Sequence, residues 1–185
     1  MSTSKTLLTS DDFLRLSAAS KGKKKLELIR GELVEMPLSG GRHGCVSSRI
    51  DRRLGTFVEQ HDLGEVFAAE TGFWISHNPD TVRAPDASFV AKGRLPAGEP
   101  PIGYLDLAPD LAVEVVSPGD TAGEVQAKVE DWLRAGVRLV WVFYPDTRSV
   151  VGYQGLDDVR LLWELDELFG WQVLPGFRCR VRELF

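Results

Sequence analysis

Apolar residues at Val46, Ile50, Leu54, Phe57 and Val58 recur three and four places apart. That spacing puts them on one face of a helix, which "DLG" (62–64) ends. A second helix is predicted over 121–135, closed by Gly136, with Val125, Val129, Trp132 and Leu133 on one face. "TSDDFLRLSA" (9–18) reads as a short helix capped by Thr9 or Ser10, with acids in its first turn. Elsewhere the pattern is that of strands. "LELIRGELVEM" (26–36) predicts a hairpin around Arg30-Gly31, and "PLSGGRHG" (37–44) a glycine-rich loop. "EVFAAETGFWI" (65–75), "VRAPDASFVA" (82–91), "LAVEVVS" (111–117) and "VRLVWVFYP" (137–145) each read as one strand. "PDTR" (145–148) then turns the chain into a hairpin partner, "SVVGYQ". The strand–helix–strand unit from 111 to 145 implies a right-handed crossover between parallel neighbours. The Pro/Gly-rich connection 92–110 is too long for a hairpin, and the tail from 166 on is apolar without a clear period. The sum is a mixed β-sheet flanked by helices, of the α/β class.

Composition narrows this picture without redirecting it. The 185 residues, 43% hydrophobic and 26% charged, suit one domain over 1–185, with residues 1–9 as a flexible N-terminus. No apolar run is long enough for a membrane span, and the N-terminus lacks the apolar centre of a signal peptide. Cys45 and Cys179 form neither a disulfide framework nor a zinc pattern, so a cytoplasmic protein is expected. The formal net charge of −5 argues against a general nucleic-acid coat, but is compatible with a local basic groove or a metal-assisted site.

One position breaks the apolar pattern. Glu114 sits inside the strand "LAVEVVS", where taking a carboxylate out of water costs several kcal/mol unless it is paired. Pro85-Asp86 stands at the start of another apolar strand, and Lys128 lies on the helix directly after Glu114's strand. At about 100° per residue, Lys128 falls at the edge of the apolar stripe of that helix, so it can reach back toward Glu114. Two carboxylates and a lysine in one cleft suit metal-assisted hydrolysis of a phosphodiester. Carboxylate oxygens hold Mg²⁺ or Mn²⁺, the cation activates water, and the ammonium offsets charge on the phosphate.

These residues carry a resemblance. "PD" (85–86), "EVV" (114–116) and the lysine of the next helix resemble the PD-(D/E)XK nuclease superfamily. "LELIRGELVEM", "GRHG", "LGEVFAAETGF", "TVRAPDASFV", "LAVEVVSPGD", "KVEDWLRAGVRLVWVFYPDT" and "VLPGF", in that order, resemble its Uma-type family of putative restriction endonucleases over roughly residues 10–185. The superfamily lysine normally stands two places after the second acid, where this chain has Val116, and Lys128 fits the migrated position. The resemblance implies a restriction-endonuclease-like fold and a DNA substrate. It implies that Asp86 and Glu114 bind Mg²⁺ or Mn²⁺, with the Val115 carbonyl as an extra ligand. Glu27 takes the place of the family's early acid, and His43 that of the histidine before the long helix.

Structural roles compete at several of these positions. Glu27 alternates with Leu26 and Leu28 and could face solvent, His43 could serve as a loop or cap residue, and Lys128 has Glu124 and Asp131 as surface partners. Arg42, Arg49, Arg52 and Arg53, with the lysines of 21–25, are candidate phosphate contacts or a solvated face. Phe73, Trp74, Trp141 and Trp163 read as core or interface, and a homodimer through the sheet or the C-terminal hairpin is a further expectation. Two alternatives to a DNA endonuclease stand: a catalytically inactive nuclease-fold binding or assembly module, and a metal-dependent hydrolase of another phosphate ester.

Overall fold

The structure, a computed structural model, describes residues 6–20, 25–95 and 99–185. Helix α1 (Ser10–Ser20) precedes a hairpin of β1 (Lys25–Ile29) and β2 (Glu32–Met36). The long helix α2 (Gly41–His61) leads to β3 (Gly64–Ala68), β4 (Phe73–Ser76), β5 (Thr81–Arg83) and β6 (Ala87–Ala91). Then come β7 (Leu111–Val115), α3 (Ala122–Arg134), β8 (Leu139–Tyr144) and β9 (Ser149–Tyr153). Strands β10 (Val159–Leu162), β11 (Glu167–Phe169) and β12 (Arg178–Arg180), with a 3-10 turn at Val181–Leu184, complete the chain. The α/β class is as expected.

Six strands form the main sheet in the order β10-β9-β8-β7-β6-β3, and β7 and β8 are its parallel pair. A second sheet, β2-β1-β5-β4, packs under α1, and β11-β12 is a separate ribbon. Alternation along β7 decides what each side of the main sheet sees. Leu111, Val113 and Val115 pack with Val46, Ile50, Leu54 and Val58 of α2. Ala112 packs with Val125, Val129 and Trp132 of α3. Glu114 has the parity of Ala112, so the strand turns its carboxylate toward α3. The apolar tail docks on the α2 side through Leu174, Phe177, Cys179 and Leu184. Burial there pushes the Cys179 thiol up to about 12, which makes it unreactive.

Local chemistry accounts for the helix ends. Thr9, not Ser10, caps α1, its hydroxyl accepting the Asp12 amide at 3.2 Å. Thr121 caps α3 in a reciprocal box, with the Glu124 amide donating to its hydroxyl and its own amide donating to Glu124. Thr121→Ala is expected to lower stability by about 1 kcal/mol in urea unfolding; an unchanged midpoint would show that the cap does not stabilise α3.

Three sequence expectations need correction. The run 65–75 is two strands in different sheets, broken by a reversal with Glu70 at φ 71°. The run 82–91 is likewise two strands in different sheets. Pro85 has no N–H to continue a ladder, so the chain changes sheets there and Asp86 falls at the junction. The expected glycine-rich loop is short, because α2 already begins at Gly41 and takes His43 into its first turn. The hairpin turns as expected at Arg30 (φ 51°) and Gly31 (φ 76°), and the left-handed pair matches the twist of its strands. Lys21, Lys23 and Lys24 of the basic run, and residues 1–5 of the N-terminus, lie outside the described residues. Among the described residues, no helix is long and apolar enough to cross a membrane.

Candidate active site

Asp86 and Glu114 meet where the two sheets join. Glu114 projects from β7 onto α3, where the Trp132 indole donates to Oε1 at 2.8 Å and the Lys128 ammonium to Oε2 at 3.2 Å. Lys128 is one helical turn from Trp132, so a single face of α3 supplies both donors. The surface partners that sequence offered Lys128 are otherwise engaged. Glu124 closes the cap, and Asp131 binds Arg83.

Asp86 is anchored from two sides. Its Oδ2 accepts the Val115 amide at 2.8 Å and lies 3.2 Å from His43 Nε2. Its Oδ1 lies 4.0 Å from Lys25 Nζ. Buried Glu27, at 3% exposure, does not face solvent. One of its oxygens accepts the Ala84 amide at 3.2 Å and the other Arg83 Nη1 at 2.8 Å. Arg83 also donates from Nε and Nη2 to Asp131, at 3.0 and 2.7 Å. Glu27, Arg83 and Asp131 thus clamp the segment that ends in Asp86 to β1 on one side and α3 on the other.

The two carboxyls are displaced in opposite directions. Burial pushes Glu114 up from the ordinary carboxylate range; the Lys128 charge opposes this, but the negative charges of Asp86 and Glu27 add to it. Burial acts the same way on Asp86, but His43, the Val115 amide and Lys25 outweigh it and hold Asp86 down. Lys128 is pushed up: burial alone would lower it, but the charges of Glu114 and Glu27 prevail.

A small cavity of about 30 Å³ brings together Asp86, Glu114, Val115, Glu27, His43 and Lys128. It opens between two larger cavities of about 380 Å³ each, one beside the start of α2 and one between the hairpin and α3. Among the described residues, no three His, Cys, Asp or Glu side chains form a metal-binding group. The donor set is therefore two carboxylates that repel each other, with backbone and water. That chemistry fits Mg²⁺ or Mn²⁺, which keep several waters and take few protein ligands, better than zinc.

Sequence reading missed Arg83, its pairing with Asp131 and the polar role of Trp132, and it placed Lys25 only within a run of candidate phosphate contacts, not beside Asp86. Arg83 had a legible signal, since a guanidinium in an apolar run needs buried carboxylates. Of the arginines proposed as phosphate contacts, Arg42 pairs with Asp146 at 2.9 Å and Arg53 with Glu183 at 2.5 Å. Trp141 and Phe73 are core, whereas Trp163 is 52% exposed.

Comparison with known proteins agrees with this class of fold. The model of the Uma2 family, described as "Putative restriction endonuclease", matches residues 10–182. The chain belongs to the Uma2 family, and so to a nuclease-like class of proteins. Among solved structures it is similar to a protein of Anabaena variabilis described as a putative nuclease belonging to DUF820. The TM-score is 0.81 and the identity 21%, over 96% of this chain and 97% of that one. At that identity the likeness concerns the fold. No curated protein matches the chain.

Proposed function

We propose that the protein is a metal-dependent endonuclease that hydrolyses phosphodiester bonds in DNA. One observation carries the reading: the acid in the middle of β7 and the lysine of the following helix are in contact, and Asp86 shares their cavity. A buried pair could be merely structural, but a second carboxylate that repels it from the same cavity is an arrangement that a shared cation would offset. Family membership supports the same reaction class.

Asp86 and Glu114 would hold Mg²⁺ or Mn²⁺, with the Val115 carbonyl as an additional oxygen. The bound cation would polarise the phosphoryl oxygen and lower the pKa of its water. His43 and the Val115 amide fix Asp86 through Oδ2, which leaves Oδ1 turned to the cavity. Trp132 orients Glu114. Lys128 places a fixed positive charge where the phosphate gains negative charge in the transition state. Glu27 acts through Arg83 and the Ala84 amide as a positioning residue for Asp86.

Divalent-ion binding tests the ligand assignment without reference to activity. Mn²⁺ at a hundred times its dissociation constant is expected to stabilise the wild type by about 2.7 kcal/mol. A thermal melt should show the rise in wild type and none in Asp86→Ala. An equal rise in both would remove Asp86 from the ligand set.

A further inference from the structure

Two lysines line the small cavity, and they differ in what holds them. Lys128 Nζ is hydrogen-bonded to Glu114, and the charges of Glu27 and Asp120 act on it as well. Its ammonium is committed to carboxylates of its own chain. Lys25, the first residue of β1, has one ion-pair partner among the described residues, Asp86 Oδ1, at 4.0 Å and without a hydrogen bond. Most of its side chain is covered, with 18% exposed. It lines both the small cavity and the larger one of about 380 Å³ beside α2, whereas Lys128 lines the small cavity and the one beside the hairpin. One lysine therefore stands at each mouth of the site; Lys128 spends a donor on Glu114, whereas Lys25 makes no hydrogen bond among the described residues.

The cavity on the Lys25 side has its own chemistry. Ser39, Ser47 and Ser48 bring hydroxyls to it, Asp51 and Glu70 add carboxylates, His43 forms the boundary with Asp86, and its lining contains no Phe, Tyr or Trp. Apart from the His43 ring, which is engaged with Asp86, a base has no aromatic surface to stack on there, while sugar hydroxyls have serine and carboxylate partners and a phosphate oxygen has the Lys25 ammonium. On the nuclease reading above, we propose that Lys25 binds a non-bridging oxygen of the substrate phosphate. The cavity with the three serines then receives the nucleotide on that side of the scissile bond. Recognition on this side is of the sugar–phosphate backbone and carries no base sequence. A lysine suits the task because three donors on a flexible stem can swing to the ligand.

The test is binding of a short fluorescein-labelled DNA duplex to the whole protein, followed by anisotropy in Ca²⁺ at several salt concentrations. Lys25→Gln is expected to weaken binding about three- to tenfold, and to reduce the slope of log K against log salt by about one. Lys25→Arg should restore the slope, and the loss should be the same for unrelated duplex sequences. In Mg²⁺, Lys25→Gln should raise KM along with the loss of binding. Unchanged affinity and slope in Lys25→Gln would overturn the assignment, as would a fall in kcat at constant KM, which would mean that Lys25 serves only Asp86. Wild type that binds with a Lys25-dependent slope yet never cleaves would sink the nuclease reading and uphold the Lys25 contact. Wild type that does not bind the duplex would overturn the Lys25 contact as well.

Discussion

Arg83→Met is expected to lower the melting temperature by about 10 °C. The Arg83 side chain is 5% exposed and answers two carboxylates, Glu27 at 3% and Asp131 at 14% exposure. Removing one partner of a buried ion pair costs roughly 3–5 kcal/mol, because the charge left behind has lost both water and its counter-ion. For a chain of this size each kcal/mol shifts the midpoint by about 2–4 °C. Arg83→Lys should recover little of the loss, since one ammonium cannot reproduce donation from Nε, Nη1 and Nη2 to two acids. Scanning calorimetry of the three proteins checks this. A shift of under about 2 °C in Arg83→Met, less than one kcal/mol on the same scale, would show that the clamp adds nothing to the fold.

The second large effect concerns Lys128. Lys128→Met keeps the length and packing of the side chain on α3 but removes the charge held against Glu114. If that charge stabilises the phosphate in the transition state, cleavage should fall by about 10²–10³, the usual range for losing one such donor. The surface alternative, in which Lys128 merely neighbours Glu124 and Asp131 on the helix, predicts a change of only a few tenths of a kcal/mol in stability and none in activity. The 3.2 Å contact with Glu114 and the engagement of Glu124 and Asp131 elsewhere already argue against that alternative.

Much of this geometry could be read from residue order. The stripes of α2 and α3, the parallel pair β7–β8 and the hairpin at Arg30-Gly31 follow from periodicity and turn chemistry. Glu114 was conspicuous because a carboxylate in a fully apolar strand demands a partner, and the helix after that strand is the nearest place to find one. Other features were hidden for physical reasons. Apolar runs continue across the breaks at Glu70 and Pro85, so the pattern did not reveal that the chain changes sheets. Alternation in β1 shows which residues share a side with Glu27, but not that Arg83 of the neighbouring strand β5 meets it there and joins it to α3. Lys25 looked like one more charge in "KGKKK", and only tertiary placement sets it beside Asp86. Trp132 fitted the apolar stripe of α3 so well that its indole N–H drew no notice. On the edge strand β10 the exposed Val159 and Leu161, with Trp163 just beyond its end, were equally silent about a partner.

On the proposed reading the Glu114 carboxylate serves divalent-ion-dependent cleavage of DNA. Supercoiled DNA incubated with Mn²⁺ and the wild-type protein, alongside folded Glu114→Ala and Lys128→Met variants, tests it most directly. Nicking or linearisation by the wild type that EDTA abolishes is expected, with none by Glu114→Ala and a rate for Lys128→Met about 10²–10³ below wild type. Equal cleavage by all three proteins, or none by the wild type, would contradict it.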